Sequence, residues 1–454
     1  MNLVADLLCL LACLTLVTCD RVYVHPFNLF SFNESDCEKL EKLVQEGKTV
    51  VPVSIESQTT PEYEGGMNDN ELEAPSLSTW GEKERSYLSD LVYVLGMRFY
   101  SALQEAQRGQ NVLLSPTSLY SSLVSFYLGA SNQTALDLQS LLGFVPPSGN
   151  PDCTSTAVGS NFLSSLRTIE RLVKSGDKEL LFSKTLSLFC APGIALFQLF
   201  MEHLLPSADA FYARAVDFAN PGEAVKQINA FVEAKGEGQS EALLADMDPS
   251  AQLLFAVDQA FLLKEPQEFW VDSDTKALVP MLSITGTFRY QTDASGAFSA
   301  VEVPLSRTAL LVLLQPVGGS DLEHLESQES LQTSAWLQHL APREIKLKLP
   351  ALTLEDSSDL QELLADMKMP ALLGKGADFS KISNDSLTVG KVINKAFFKL
   401  ASDGTDQPED PAAQKEDGVY LDVTLNKPFL FAVFEKQSRA MLFLGRVVNP
   451  LHED

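Results

Sequence analysis

Apolar residues recur at helical spacing through the first long segment of the chain body. The repeat has intervals of three and four residues and runs through Leu88, Leu91, Val92, Leu95, Phe99 and Leu103. Such spacing places side chains on one face of an α-helix, so it predicts a long amphipathic helix. Helical patterns of this kind dominate the chain up to about His203.

Beyond that point the pattern changes to shorter apolar runs bounded by turn residues, which is typical of β-strands. The runs are LLFAVDQAFLL, AFSAVEVPL, TALLVLLQP and EIKLKLPALTL, with a second helical patch at SDLQELLADM. The chain closes on KPFLFAVFEKQSRAMLFLGRVV, which predicts two strands joined by a polar turn. No repeat of fixed period is present. This order of helices and strands predicts a mixed α/β protein of the α+β type.

The first nineteen residues form an apolar leader. Met1 to Cys19 has an apolar centre and small residues near its end, which predicts a secretory signal peptide over 1–19. Asp6 and the absence of Lys or Arg depart from the usual pattern. The run is too short to span a bilayer, and no second stretch is long and apolar enough. We therefore expect a secreted protein without a membrane span.

Residues 30–84 are predicted to be an N-terminal extension that ends in an acidic linker. Within it, Leu40, Leu43 and Val44 predict a short amphipathic helix from Asn33 to Gly47. From Val50 to about Glu84 the chain is polar and rich in Ser, Thr, Pro and Gly, which indicates a solvated linker. The folded body is then expected over residues 85–454.

Charge and cysteine content narrow the function classes. The chain has 454 residues and a formal net charge of −26, so a phosphate backbone would repel it and nucleic-acid binding is excluded. Removing the leader reduces six cysteines to Cys37, Cys153 and Cys190. One disulfide and one free thiol is the simplest allocation. Cys190 ends the apolar run LLFSKTLSLFC and is expected to be buried, whereas Cys153 lies in the loop-like PPSGNPDCTST.

Directly after the leader stands the aromatic segment DRVYVHPFNLF, Asp20 to Phe30. It is too small to bury a face of its own, so it is either a frayed terminus with chance aromatic residues or a segment with a function outside the fold. An aspartic protease binds an extended strand and prefers apolar residues beside the cut bond. Leu29 and Phe30 offer that pair, with Phe27 two residues upstream.

Trimming of the released segment would stop at a defined point. A dipeptidyl carboxypeptidase could remove Asn28 and Leu29 and leave Phe27 at the new end. Its next cut would fall on the bond between His25 and Pro26, a tertiary amide whose nitrogen carries no hydrogen. The expected stable product is therefore Asp20 to Phe27.

This segment resembles the angiotensin family of peptide hormones. The octapeptide comprises Asp20, Arg21, Val22, Tyr23, Val24, His25, Pro26 and Phe27, and residues 20–29 resemble its decapeptide precursor. The resemblance implies cleavage by renin between Leu29 and Phe30, trimming by angiotensin-converting enzyme, and action of the octapeptide on the angiotensin receptor to regulate vascular tone and salt balance. Val24 is an allowed residue at its position, and Phe30 is expected to set the species preference of the protease.

The same resemblance implies a disulfide between Cys37 and Cys153. Because Leu29 lies eight residues from Cys37, the bridge would keep the cut bond within roughly 26–29 Å of its anchor. Reduction is expected to free the whole tail from Asp20 to Glu84 and so to change the rate of peptide release.

The body resembles the serpin family. Similarity runs through NVLLSPTSLYSSLVSFYLGASNQTALDLQSLLG (111–143), VPMLSITGTF, LPALTLEDSSDLQELLADMKMPALLGKGADFSKIS, LTVGKVINKAFFKLASDGT, and KPFLFAV with FLGRVVNP. These segments occur in serpin order over roughly residues 85–450. The resemblance implies the serpin fold, with helices around a large mixed β-sheet and smaller sheets, and a reactive-loop region at about 402–418.

Protease inhibition by a serpin is a rival function. It requires the cut reactive loop to insert into the main sheet as a strand, which small residues with backbone hydrogens permit. Here Pro408 and Pro411 each remove a donor, and burying Asp406, Glu409 or Asp410 would be costly. The sequence thus predicts a non-inhibitory body. A carrier serpin for small apolar ligands is a further alternative.

Other candidate chemistry is sparse. Five histidines are scattered without a metal-type pair or a nucleophile partner, and no phosphate loop or dinucleotide fingerprint occurs. Met367 and Met369 beside Pro370 are interpreted as packing residues. No catalytic residue, cofactor or metal is predicted, so we expect no enzyme activity.

Three sequons predict N-glycosylation, at Asn33, Asn132 and Asn384. A glycan on Asn33 lies three residues past Phe30 and could crowd the approaching protease. Simple solubilisation is an equal alternative.

Overall fold

A computed structural model of the chain describes residues 47–61, 63–66, 82–144, 151–174, 180–235, 242–263, 269–270, 276–277, 281–292, 296, 298–317, 321–327, 331, 337, 339–369, 372–400 and 420–450. The leader, the aromatic segment, the reactive-loop region and the predicted helix before Gly47 lie outside these residues.

Eight α-helices occur in the described parts of the chain. They are α1 (Glu82–Ala106), α2 (Pro116–Gly129), α3 (Asn132–Leu142), α4 (Pro151–Lys174), α5 (Gln198–Leu204), α6 (Pro221–Lys235), α7 (Leu322–Glu326) and α8 (Leu360–Asp366). The first long helix and the helical patch SDLQELLADM are thereby confirmed. Ser115 caps α2, since its side-chain oxygen accepts a hydrogen bond from the Ser118 amide and Pro116 occupies the first helical position.

The strands run as follows: β1 (Thr49–Val50), β2 (Gly65–Gly66), β3 (Val112–Leu114), β4 (Leu181–Cys190), β5 (Leu196–Phe197), β6 (Ala210–Ala215), β7 (Leu253–Leu263), β8 (Phe269–Trp270), β9 (Lys276–Ala277), β10 (Met281–Thr292), β11 (Phe298–Pro304), β12 (Ala309–Pro316), β13 (Ala341–Pro350), β14 (Leu352–Asp359), β15 (Val389–Leu400), β16 (Leu421–Thr424), β17 (Phe429–Glu435) and β18 (Met441–Val447). The apolar runs of the sequence all form strands, and EIKLKLPALTL divides into two strands at Ala351.

Two large sheets organise these strands. A six-stranded sheet has the order β14-β15-β7-β4-β6-β2, and an eight-stranded sheet has the order β16-β13-β10-β11-β12-β17-β18-β3. The six-stranded sheet is mixed, because β15 and β7 run parallel, as do β4 and β6. Helices, a large mixed sheet and smaller sheets match the predicted fold class.

Aromatic side chains join the two sheets. Phe261 and Phe398 of the six-stranded sheet lie against Phe431 and Phe443 of the eight-stranded sheet. The ring centroids of Phe398 and Phe431 are 4.9 Å apart, and all four side chains are buried. Rings at this separation add attraction beyond the area that they bury, so the two sheets form one core.

A second, smaller core lies between α6 and the six-stranded sheet. Ile228 and Val232 of the helix are buried with Phe189, Leu254 and Ile393 of the strands. This packing holds α6 across one face of the sheet.

Two expectations for polar segments are wrong. Residues 50–66, predicted as a solvated linker, pair with strands of the body and bury Pro52, Ile55 and Glu64. Cys153, predicted in a flexible loop, is buried in the first turn of α4. In both cases contacts with distant residues stabilise a segment whose composition is typical of a loop.

A buried ion pair connects α4 to β4. The Lys184 ammonium lies 2.8 Å from a carboxylate oxygen of Glu170 and donates a hydrogen bond to Ser121, with side chains 1% and 0% exposed. Glu170 also lies 3.6 Å from Arg167, so removing Lys184 leaves the buried carboxylate with one cationic neighbour instead of two. Removing one member of a buried pair costs more than removing both, because part of the remaining charge is no longer compensated.

We therefore expect Lys184→Met to lower the free energy of unfolding by about 3–5 kcal/mol. The double variant Lys184→Met/Glu170→Leu should recover most of that loss, because the carboxylate that lost its cation is also removed and Arg167 keeps Asp209 at 2.8 Å. Chemical denaturation followed by circular dichroism measures both values. Equal destabilisation of the single and double variants would contradict this assignment.

Candidate functional site

The predicted functional residues fall into two groups. Asp20–Phe30, Asn33, Cys37 and the reactive-loop region 402–418 lie outside the described residues. Cys153, Asn132 and Asn384 lie within them. The structure therefore describes the surfaces to which the peptide-bearing tail and the loop are attached.

The tail joins the body through residues 47–66, which we call the arm. Its first part pairs with the segment before α5, where Thr49 opposes Phe197 and Val50 opposes Leu196. The Gln198 amide donates a hydrogen bond of 2.9 Å to the Lys48 carbonyl. The start of the arm is thus fixed to the body.

Further along, the arm runs beside the edge strand β6. The Ala215 amide donates to the Val53 carbonyl at 2.8 Å, and the Ile55 amide donates to the Ala215 carbonyl at 2.9 Å. At the other end, Gly65 and Gly66 pair with the beginning of β6 as an added strand. The arm therefore covers an edge that would otherwise present unpaired backbone groups.

One buried ion pair connects the arm to β6. A guanidinium nitrogen of Arg214 lies 2.5 Å from Glu64 Oε2, and the Ala213 amide donates to Glu64 Oε1 at 3.0 Å. The side chains are 4% and 0% exposed. Burial raises the pKa of Glu64, while the Ala213 amide and the Arg214 charge act in the opposite direction.

The Arg214 guanidinium also binds the backbone of the arm. It donates hydrogen bonds to the carbonyls of Ser57 at 3.3 Å and Thr59 at 3.2 Å. Its other side faces the ring of Phe231 on α6, 5.6 Å from the ring centroid. Arg214 thus connects the arm, the sheet edge and α6.

The two cysteines of the described body differ in state. Cys153 is bonded in a disulfide, whereas Cys190 is a free, buried thiol, as predicted from its apolar strand. Burial raises the pKa of Cys190 to about 12, so its thiol is protonated and unreactive at neutral pH.

The start of the arm and α4 border one cavity. A cavity of about 250 Å³ is lined by Gly47 and Lys48 of the arm and by Thr156 of α4. Thr156 follows Cys153 by three residues on the same helix. The structure thus brings the start of the arm close to the helix that carries Cys153.

The parallel pair β7 and β15 is a place where a strand formed by the loop after β15 could lie antiparallel to both neighbours. The strands are paired in parallel from Val389 opposite Leu253 to Leu400 opposite Leu263. No strand stands between them in this sheet. Insertion would have to break this pairing along its whole length.

The asparagines of both sequons in the described body are exposed, whereas Thr134 of the first sequon is buried and its hydroxyl accepts a hydrogen bond from the Asp378 amide at 2.8 Å. Asn132 is exposed at the start of α3, and its amide donates to Asp378 Oδ2 at 2.8 Å. Asn384, Asp385 and Ser386 are all exposed. The surface positions allow glycans at Asn132 and Asn384, whose occupancy stays a prediction.

The described residues contain no group of three or more His, Cys, Asp or Glu that could hold a metal.

His203 is hydrogen-bonded through its Nδ1 atom to the Ser160 hydroxyl at 3.1 Å. Burial lowers the pKa of His203, so its ring is neutral at pH 7. Among the helices described, none combines the length and apolar character of a membrane span.

The sequence reading missed Glu64 and Arg214. The run KTVVPVSI is rich in β-branched residues, which favour a β-strand at the start of the arm. The stretch that follows it is acidic and polar, and its composition led to the prediction of a solvated linker. Nothing in the sequence pattern indicates that Glu64 pairs with a residue 150 positions away.

Comparison with known proteins finds relatives that match nearly the whole chain. The model of the family described as "Serpin (serine protease inhibitor)" matches residues 91–450. Angiotensinogen of Homo sapiens is 38% identical over 472 residues, covering 99% of this chain and 98% of that protein, and angiotensinogen of Bos taurus is 39% identical over 474 residues, with the same coverage. Human thyroxine-binding globulin in complex with its ligand shares the fold at a TM-score of 0.68 and 21% identity, over 81% of this chain and 100% of that chain.

We expect a cut in the reactive-loop region to leave the melting temperature nearly unchanged. Loop insertion would raise it strongly, but the prolines and acidic residues of the loop oppose entry between β7 and β15. The measurement is thermal unfolding before and after limited proteolysis between Thr405 and Gly418.

The control for this experiment replaces Asp406, Pro408, Glu409, Asp410 and Pro411 by Ala. If the loop residues are the barrier, the nicked control should melt at a higher temperature than the intact one. A large upward shift in the unaltered chain would restore the inhibitor interpretation.

Proposed function

The chain belongs to the serpin family as an angiotensinogen homologue, and from this premise we infer that it is a precursor of angiotensin-type peptide hormones. The observation that carries the inference is identity of 38% over 99% of the chain, together with the peptide segment at residues 20–29. The similarity extends through the N-terminal segment as well as the serpin body.

Peptide release begins between Leu29 and Phe30. Renin, an aspartic protease, would bind the segment as an extended strand, with the apolar side chains of Leu29, Phe30 and Phe27 in its pockets. The product is the decapeptide 20–29. Angiotensin-converting enzyme would then remove Asn28 and Leu29, and the octapeptide would act on the angiotensin receptor to regulate blood pressure and salt balance.

The serpin body serves as a non-inhibitory support for this segment. Pro408 and Pro411 of the loop oppose strand insertion, because each removes a backbone hydrogen-bond donor. The inhibitor and small-ligand carrier alternatives have no better support. We assign no enzyme activity to the chain.

The leader over residues 1–19 directs secretion, and the mature chain begins at Asp20. Secretion fits the presence of a disulfide at Cys153, since such bonds persist in oxidising compartments. Glycans at Asn33, Asn132 and Asn384 belong to the same proposal.

The bridge between Cys37 and Cys153 is supported by two observations. Cys153 is disulfide-bonded, and Cys190 is free and buried, which leaves Cys37 as the candidate partner in the chain without its leader. One expected consequence of reduction is wrong, however. The docked arm holds residues 47–66, so opening the bridge cannot free the tail as far as Glu84.

Incubation of the full chain with renin should release one peptide of residues 20–29. The apolar pair beside the cut bond sets the site, so Leu29→Asp should slow release at least tenfold. Mass spectrometry of the released peptides measures both. A cut elsewhere than between Leu29 and Phe30 would contradict the proposed function.

The converting enzyme should stop at Phe27. Treating the decapeptide 20–29 with a dipeptidyl carboxypeptidase is expected to yield 20–27 alone, because the His25–Pro26 bond resists the next cut. In a matched Pro26→Ala peptide, trimming should continue to His25. Accumulation of 20–25 from the unaltered peptide would show that Pro26 does not define the product.

A further inference from the structure

We propose that the arm is a second anchor for the hormone segment, independent of the disulfide, and that Glu64 and Arg214 are positioning residues for peptide release. The part that concerns release rests on the proposed function. The part that concerns the anchor rests on contacts within the described residues alone.

The partners of Arg214 make the arm part of the body. Each hydrogen bond that its guanidinium donates to a described residue goes to the arm: to Ser57, Thr59 and Glu64. Replacing Glu64 while the arm stays docked would leave a nearly buried cation without its carboxylate, which is a costly state. Among the described residues, the arm therefore supplies every hydrogen-bond acceptor of this charge.

Glu64 shows the reciprocal arrangement. Its carboxylate oxygens accept from Arg214 and from the Ala213 amide, both on β6. By contrast, Glu56 of the same arm bonds Gln227 of α6 in an exposed position at 2.9 Å. Glu64 is thus the charged residue that fixes the arm to the sheet edge, and Glu56 offers a matched surface control.

The two anchors set different tether lengths for the cut bond. A disulfide at Cys37 would hold Leu29 within eight residues, and the arm holds it within eighteen residues at Gly47. Fully extended, these tethers reach roughly 26–29 Å and 59–65 Å. If both anchors open, the stretch from Leu29 to the start of α1 at Glu82 contains fifty-three residues, and its maximum reach is about 175–191 Å.

The consequence concerns a protease that contacts both the tail and the body. The local concentration of a tethered segment falls roughly as the −3/2 power of tether length. Opening the disulfide alone should therefore lower kcat/KM by about threefold, and opening the arm as well should lower it about fivefold further. With the disulfide closed, opening the arm should change kcat/KM less than about twofold, because the shorter tether still holds Leu29.

The anchor itself is tested without any protease. Hydrogen-exchange mass spectrometry should show faster exchange at the Ile55 and Ala215 amides, which donate to the carbonyls of Ala215 and Val53, in Glu64→Leu than in the unaltered chain. The double variant Glu64→Leu/Arg214→Met removes the unpaired charge and should recover protection, and Glu56→Gln should exchange as the unaltered chain does. Unchanged protection of these amides in Glu64→Leu would overturn the proposal that the arm is an anchor.

The positioning role is tested by a double-mutant cycle with renin. Cys153→Ala, the arm variant Val50→Pro/Glu64→Leu, which disrupts both the β1–β5 pairing and the Glu64–Arg214 pair, and their combination are compared with the unaltered chain in kcat/KM for release of residues 20–29. We expect the effect of the arm variant to be several-fold larger in the Cys153→Ala background. Additive effects would refute the positioning role.

The two tests separate the two claims. If renin does not cut between Leu29 and Phe30, the proposed function fails, while the hydrogen-exchange data still decide whether the arm is anchored to the body. If the arm is anchored and the changes in kcat/KM are additive, the hormone-precursor function stands and the positioning role does not.

Discussion

The parallel pairing of β7 with β15 is the constraint on which the rest of the body depends. It joins the edge pair β14 and β15 to the strands β4, β6 and β2, and without it the six-stranded sheet would be two separate pieces. Phe261 and Phe398 project from these two strands into the aromatic core shared with the other sheet. In the other direction, α6 packs on residues from both strands, including Leu254 and Ile393. This pairing therefore unites the six-stranded sheet and connects it to both apolar cores.

Buried charges add specificity to that support. Lys184 and Glu170 fix α4 to β4, and Arg214 and Glu64 fix the arm to β6. Neither pair is needed for burial of apolar area, and each would be costly if misaligned, since a lone charge in the interior has no solvent to stabilise it. Each pair therefore specifies one position of a peripheral element. The helix that carries Cys153 and the arm that leads to the hormone segment are both held by such pairs.

The hormone segment itself needs no fold to be chemically defined. The order of its residues fixes where a protease can cut and where trimming ends, because Leu29, Phe30 and Pro26 act through local side-chain and backbone chemistry. The body contributes presentation. The cavity bordered by Gly47, Lys48 and Thr156 brings the start of the arm close to the helix that carries the disulfide. The described start of the arm therefore lies in the same region as the N-terminal part of α4.

Periodicity and local chemistry carried most of what the sequence determined by itself: the strands that bury both faces, the long first helix, the buried thiol of Cys190 and the peptide with its expected cut. These features depend on residues close together in the chain, so a pattern of a few positions is enough to reveal them. The arm, the burial of Cys153 in α4 and the pair of Glu64 with Arg214 were decided only by the tertiary structure. A polar segment becomes ordered when distant residues supply partners for its backbone and charges, and Arg214 stands 150 positions from Glu64. Composition reports the affinity of a segment for water, whereas docking depends on a surface that exists only after the body has folded.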